Sequence, residues 1–202
     1  MVRTNKTAAI VLAAGRSTRM GASNKLLAPW QGKTPLEFVC EAATTSECDI
    51  TIVVTGHDQT SIVEKTSQFD VLLTHNGDYQ SGMASSIRQG ILVAEQNEAD
   101  AVVVLLGDMP GITSTMINEM IATSQNNKLD AIIIATCEGN RGNPLLWPKM
   151  YFDQLLCLEG DQGARQIIAG YEDQIVELEL GAGVLFDLDT PEAFEAGEIP
   201  IK

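Results

Sequence analysis

The sequence is short of basic residues, histidine and aromatics, and it contains no long apolar run. Thirteen Lys and Arg stand against 27 Asp and Glu, a formal net charge of −14 at pH 7. A body of that charge repels phosphate chains unless a basic face is segregated, so a nucleic-acid polymer is not expected as a partner. The longest apolar runs, Ala8 to Ala14 and Ala101 to Leu106, fall far short of the ~20 residues a membrane span needs, and no membrane role is expected. Arg3 and Lys6 precede the first run, but it ends at Gly15-Arg16 without a small-residue cleavage pattern. No secretory signal is expected there, and a cytoplasmic protein is expected. The two histidines, His57 and His75, have no H-E-x-x-H spacing, which excludes the usual His-based metal sites. Cys40, Cys48, Cys137 and Cys157 form no C-x-x-C pair and sit in or beside apolar segments. They read as free thiols, with neither a zinc site nor a disulfide framework.

What remains is an ordinary globular composition of 202 residues, 45% hydrophobic and 20% charged. A chain of this size buries roughly 70% of its unfolded surface, and residues 1–202 read as one domain with no repeat or linker. Ala8 to Ala14 and Ala101 to Leu106 are continuously apolar, as parallel strands covered on both faces must be. Further strands are predicted at Ile50 to Val54, Val71 to Thr74 and Ala131 to Ala135. Helices are predicted from Thr34-Pro35 to about Thr45, around Gln59 to Ser67, and over 84–95 and 113–124. This alternation indicates βαβ units: an α/β fold with an open, mostly parallel sheet and helices on both faces. After residue 136 the rhythm changes. Gly139 to Pro144 reads as a turn-rich loop, Pro148 to Leu158 as a helix, Gly160 to Arg165 as a loop entering a helix, and 175–180 and 184–188 as short strands. Thr190 caps a last helix at Pro191-Glu192.

Charge is distributed unevenly. Residues 1–36 carry Arg3, Lys6, Arg16, Arg19, Lys25 and Lys33 and no acidic residue, whereas residues 166–202 carry nine acidic residues and one basic residue, Lys202. The first strand runs into Leu12-Ala13-Ala14-Gly15-Arg16-Ser17, then Arg19, Gly21 and Lys25. In open α/β sheets ligands bind beyond the carboxyl ends of the strands, where small residues let phosphate oxygens reach backbone N–H groups. The loop is neither a Walker A motif nor G-x-G-x-x-G, because Ala22 follows Gly21 and five residues separate Gly15 from Gly21. A Gly-flanked loop with Arg16, Arg19 and Lys25 suits an anion of several charges.

The strand ending at Leu106 leads into Gly107-Asp108-Met109-Pro110, which can aim a carboxylate into the same crevice. Magnesium favours one or two carboxylates completed by substrate phosphates and water, so Asp108 is a candidate Mg²⁺ ligand. Asp187 and Asp189, two residues apart and on one side of an extended segment, are the candidates to complete it. Gly82, Ser85 and Ser86 at a helix start supply amides and hydroxyls but have no neighbouring base, so they read as a binding loop rather than a nucleophile.

In order, Leu-Ala-Ala-Gly-Arg-Ser-x-Arg-Met-Gly with Lys25-Leu-Leu, Thr55-Gly-His-Asp58, Gly82-Met83 with Ser86, Leu106-Gly-Asp-Met-Pro110, Arg141-Gly-Asn-Pro144, Gly160-Asp-Gln-Gly-Ala-Arg165 and Asp187-Leu-Asp-Thr-Pro-Glu192 resemble the MobA-like nucleotidyltransferase family. Within it the blocks are most similar to the molybdenum cofactor cytidylyltransferases. The resemblance implies a Rossmann-like three-layer α/β/α nucleotidyltransferase fold. It also implies CMP transfer from CTP to the terminal phosphate of the molybdenum-molybdopterin cofactor with release of pyrophosphate, and possession of Mg²⁺. By it, nucleotide contacts fall at Leu12, Ala13, Ala14, Gly15, Arg16, Ser17, Gly21, Lys25, Gly82 and Ser86, and metal contacts at Asp108, Asp187 and Asp189. Arg19 would take the β- and γ-phosphates and Lys25 the α-phosphate. The partner implied is a molybdoenzyme of the xanthine dehydrogenase type. Leu12-Ala-Ala-Gly15, where guanylyltransferases of the family usually have Leu-Ala-Gly-Gly, and the 160–165 block favour CTP over GTP. Asn143 stands where relatives often have His. The first block alone also fits enzymes that use another phosphorylated acceptor such as a sugar phosphate, and a non-catalytic cofactor-delivery protein is the alternative outside enzymology.

Overall fold

A computed structural model describes residues 5–16, 24–161, 163–190 and 193–194. Seven strands form one sheet in the order β3-β2-β1-β4-β6-β5-β7: β1 (Thr7–Ala13), β2 (Ile50–Thr55), β3 (Leu72–His75), β4 (Ala101–Leu106), β5 (Ile132–Cys137), β6 (Asn140–Pro148) and β7 (Ile175–Glu179). The pairs β1–β2, β1–β4, β2–β3 and β5–β7 are parallel, and β6 runs antiparallel between β4 and β5. The helices are α1 (Pro35–Thr44), α2 (Gln59–Thr66), α3 (Met83–Gln96), α4 (Ser114–Asn126), α5 (Phe152–Leu156) and α6 (Arg165–Ile168). The α/β class, the open mostly parallel sheet and the layers on both faces are as the sequence predicts. No helix among the described residues is long and apolar enough to cross a membrane.

The two-residue period of the strands divides the core. Ala9, Val11 and Ala13 of β1, Val53 of β2 and Val103 and Leu105 of β4 face Leu36, Val39 and Cys40 of α1 and Ile117 and Met120 of α4. Ala8 and Ile10, Ile52 and Val54, and Val102 and Val104 face Ala84, Ile87 and Ile91 of α3 and Phe152 and Leu155 of α5. Both faces of the central strands are covered, which is why their sequences are unbroken apolar runs. Each fully buried Ile or Leu contributes roughly 1.5–3 kcal/mol over its exposed state. The helix starts follow from local chemistry. Thr34 accepts from Glu37 N while the Glu37 carboxylate accepts from Thr34 N, a reciprocal cap, with Pro35 as the first helical residue. Thr113 caps α4. Burial pushes the Cys40 thiol up to about 12 and the Cys48 thiol up to about 11, and none of the four cysteines forms a disulfide.

Two predicted elements differ in the structure. Gly139 to Pro144 is not a loop: Glu138 and Gly139, both at positive φ, make a tight turn, and the chain returns at once as β6 with Asn140 opposite Cys137 and Arg141 opposite Thr136. Residues that usually mark loops fit the strand for local reasons. Gly142 passes the Val184 carbonyl so closely that a Cβ would lie 2.3 Å from its oxygen. Pro144 falls where the ladder shifts register between Ile134 and Thr136, a place that demands no N–H. The predicted strand 184–188 is instead a 3-10 turn, Ala182–Leu185, followed by extended chain. Gly183 is pressed against Gly111, and Val184 is fully buried beside Gly142, so the segment docks on the sheet end without joining it. The predicted helix 148–158 is shorter: Pro148 closes β6, and a 3-10 turn at Lys149–Tyr151 leads into α5.

Candidate functional site

Strand order reverses at the β1–β4 boundary: β2 and β3 extend the sheet to one side, and β6, β5 and β7 to the other. The carboxyl ends diverging there leave a crevice, the usual ligand position in such sheets. A cleft of about 580 Å³ opens at that point. One wall is the loop after β1, with Leu12, Ala14, Gly15 and Arg16. A second is the 3-10 turn Lys25–Leu27. A third is Tyr79, Gln80, Gly82, Met83 and Ser86 at the start of α3, with Asp161 beside them. Leu106, Gly107 and Asp108 form the floor, and Asp187 and Asp189 the far rim.

Backbone contacts fix these pieces. Gly107 N donates to Leu12 O at 3.1 Å, which carries the β1–β4 ladder one residue into the cleft and sets Asp108 at its floor. Leu188 is fully buried and its N–H donates to Asp108 O at 3.0 Å, so the residues on either side of this anchor, Asp187 and Asp189, face the cleft next to Asp108. Gly82, at φ 113°, lies against Gly160: a Cβ there would be 2.3 Å from the Gly160 carbonyl, and Ala84 N donates to that same carbonyl at 3.1 Å. This contact joins two motifs that are 78 residues apart in sequence and brings Asp161 to the wall. Beneath it, the buried Asn76 amide donates to Ser85 Oγ at 2.7 Å and to Ser86 Oγ at 3.0 Å, while its oxygen accepts from Asp78 N. Ser85 passes its own proton to the Asp78 and Gly82 carbonyls. Among the described residues none accepts the Ser86 hydroxyl proton, so Ser86 presents a donor to the cleft.

The electrostatic centre is Lys25. Its ammonium donates to both Asp108 Oδ2 and Asp189 Oδ1. Burial works to lower the Lys25 pKa, but the two carboxylates outweigh it and hold the pKa above the ordinary lysine value. Asp187 is raised above the ordinary carboxylate value, first by partial burial and then by the Asp189 and Asp108 charges, with Lys25 pulling the other way. Among the described residues no group of three or more His, Cys, Asp or Glu side chains is placed to hold a metal ion. Two carboxylates meeting on one cation nevertheless fit magnesium, which takes few protein oxygens and fills its shell with phosphates and water. Lys25 Nζ marks the point on which Asp108 and Asp189 converge.

Of the residues predicted from sequence, Leu12, Ala14, Gly15, Arg16, Lys25, Gly82, Ser86, Asp108, Asp187 and Asp189 all line this one cleft. Ala13 does not: the strand period turns its methyl group to the opposite face, where it is fully buried against the α1 side of the core. Ser17, Arg19 and Gly21 lie outside the described residues. Asn143 and Arg141 sit on β6 away from the cleft lining, and Arg141 is paired with Glu172 and Glu177. Tyr79, Gln80 and Asp161 also line the cleft, although Tyr79 and Gln80 fall in no motif and Asp161 is only one residue of the 160–165 block. Only the Gly82–Gly160 contact places Asp161 in the wall.

Arg16 and a lysine bound by two carboxylates thus lie together at the switch point of an open α/β sheet, where ligands of such folds bind. Residues 9–176 match the MobA-like NTP transferase domain, and the chain belongs to the MobA-like nucleotidyltransferases. It is similar to the purine catabolism protein PucB of Bacillus subtilis (strain 168), with 26% identity over 196 residues that span 92% of this chain and 93% of PucB. Its fold is similar to Rv0371c of Mycobacterium tuberculosis H37Rv, at TM-score 0.82 and 23% identity, covering 95% of this chain and 97% of the other. A manganese complex of the same protein gives TM-score 0.75 at the same identity and coverage. A cytidylyltransferase of Leptospira borgpetersenii serovar Hardjo-bovis (strain JB197) superposes at TM-score 0.74 and 18% identity, covering 95% and 84% of the respective chains.

Proposed function

We propose that the protein transfers CMP from CTP to the terminal phosphate of a molybdenum-molybdopterin-type cofactor and releases pyrophosphate. The observation that carries the transfer chemistry is the Lys25 ammonium between Asp108 and Asp189 at the mouth of the Leu12–Arg16 loop. In this reading an oxygen of the acceptor's terminal phosphate attacks the α-phosphorus of CTP. The new P–O bond forms as the bond from that phosphorus to the α,β-bridging oxygen breaks, and the electron pair leaves with pyrophosphate. Such a transfer needs little covalent help, mainly in-line positioning and charge neutralisation.

Arg16 and the backbone amides after β1, with Arg19, hold the outgoing phosphates, and Lys25 neutralises the α-phosphate. Ser86 donates its free proton to the nucleoside. Asp108 and Asp189, with Asp187 on the rim, would hold a Mg²⁺ ion, which when bound supplies neutralisation of phosphate charge. The manganese complex of the Mycobacterium tuberculosis relative and the cytidylyltransferase with the same fold support this reading. The choice of CTP rests on Leu12-Ala-Ala-Gly15 and on the 160–165 block that packs on Gly82. A molybdoenzyme of the xanthine dehydrogenase type is the proposed recipient of the product.

The nucleotide preference is tested by thermal unfolding at saturating Mg²⁺. A ligand that binds only the folded state, at about 100 times its Kd, adds about 2.7 kcal/mol, roughly 5–11 °C of Tm for a chain of this size. CTP is expected to raise Tm by that amount and GTP by clearly less. Equal shifts would remove the case for cytidine, and a larger shift with GTP would reverse the assignment.

A further inference from the structure

Thr55-Gly56-His57-Asp58, at the end of β2, lies outside the cleft lining and has no part in the chemistry above. Asp58 occupies the N-cap position of α2, where an aspartate normally accepts a hydrogen bond from the helix's first amides. It makes no such bond. Its backbone is instead left-handed, φ 52° and ψ 34°, a conformation that only Gly, Asn and Asp adopt readily. The carboxylate that this conformation frees points across to the other wall of the site. Asp58 Oδ2 accepts from Asn24 Nδ2 at 3.2 Å. The same oxygen lies 3.5 Å from His57 Nε2, and the His57 ring rests beside Tyr79 of the cleft wall, centroids 6.1 Å apart.

Asn24 is the residue that organises the lysine turn. It is buried, and its Oδ1 accepts from Leu26 N at 3.1 Å, capping the 3-10 turn Lys25–Leu27. An amide side chain can present its oxygen to Leu26 only while its nitrogen is turned away, and Asp58 receives that nitrogen. We propose that Asp58 is a positioning residue: its carboxylate fixes the Asn24 amide, and Asn24 in turn fixes the turn that aims the Lys25 ammonium into the cleft. The left-handed backbone at Asp58 is then the cost of directing the carboxylate to Asn24 instead of to its own helix. The consequence for turnover rests on the nucleotidyl-transfer reading; the positioning itself does not.

Asp58→Gly separates the two roles, because glycine relieves the left-handed backbone while removing the carboxylate. Tm is expected to stay within about 3 °C of the wild type, whereas a residue kept for stability would show a clear drop. Position is read from the ¹³C-methyl NMR signal of Lys25 after reductive methylation of the full chain, identified by its absence in Lys25→Ala. In Asp58→Gly this signal is expected to move toward those of the exposed lysines. In Asp58→Asn, whose side-chain oxygen still accepts from Asn24, it is expected to stay in place. In pyrophosphate release from CTP with Mg²⁺ and molybdopterin, kcat of Asp58→Gly should fall about tenfold with KM for CTP little changed, the mark of a misplaced group rather than a lost contact. Asp58→Asn should recover most of the rate. An unmoved Lys25 signal in Asp58→Gly overturns the proposal, as does an unchanged kcat in an active enzyme. A signal that moves as expected in a protein whose wild type releases no pyrophosphate keeps the positioning role and overturns the nucleotidyl-transfer reading instead.

Discussion

Asp108→Asn is expected to leave a folded protein with turnover reduced at least 100- to 1000-fold, the range for removing one preorganised electrostatic group from a reacting centre. The fold should persist because asparagine matches aspartate in shape and the contact that anchors the far rim, Leu188 N to Asp108 O, is made by the backbone. The substitution also removes one of the two carboxylates that hold the partly buried Lys25 ammonium charged, while easing the carboxylate charge that, second to burial, raises the pKa of Asp187. A modest drop in Tm is therefore expected, small beside the loss of rate. Asp189→Asn should resemble Asp108→Asn, since both carboxylates meet the same Lys25 ammonium. Asp187→Asn should be milder, because Asp187 sits on the exposed rim. Steady-state kinetics with Tm as the folding control decide this. A folded Asp108→Asn protein with near-normal turnover would take Asp108 out of the site.

The second large effect is expected at Lys25. Its ammonium is mostly enclosed, with 19% of the side chain exposed, and charge neutralisation is worth more there than at an open surface. If it meets the α-phosphate as the bond to pyrophosphate breaks, Lys25→Ala should lose about 2–4 kcal/mol of transition-state stabilisation, or about 30- to 1000-fold in kcat. Arg19→Ala, losing a grip on phosphates already bound in the ground state, should raise KM for CTP as well. Lys25→Ala also leaves Asp108 and Asp189 without their shared counter-ion. A modest drop in Tm at neutral pH, reversed by Mg²⁺, is the accompanying expectation. A Lys25→Ala protein with unchanged kcat would remove the role assigned to this residue.

Much of this site is legible in the sequence because its parts fall at strand ends. An apolar run that stops at Gly15-Arg16 and another that stops at Gly107-Asp108 announce the two strands whose carboxyl ends flank the cleft. The reciprocal cap at Thr34 and Glu37 is likewise local, and the predicted helix start matches the structure. Ala13 shows the limit of a contiguous motif: it lies between two cleft residues in sequence, but a strand alternates its faces, and only Leu12 and Ala14 reach the ligand side. The other misreadings share a cause. Gly142, Pro144 and Gly183 carry loop chemistry, but each answers a tertiary demand: a carbonyl passing at contact distance, a shift in the ladder, a backbone pressed on Gly111. Such demands have no local trace. The same holds for Asp58, which stands just before α2 in sequence while its carboxylate accepts from Asn24 across the site.

The central claim, nucleotidyl transfer from CTP to a molybdopterin-type acceptor, is tested most directly by measuring pyrophosphate release. Purified protein with Mg²⁺ is given each of the four ribonucleoside triphosphates in turn, with and without molybdopterin carrying molybdenum. The account predicts stoichiometric release with CTP, dependent on the acceptor, and little with GTP, ATP or UTP. No release with any triphosphate in the presence of the acceptor would contradict it and favour a delivery protein, and release that needs GTP or a sugar phosphate would contradict the substrate assignment.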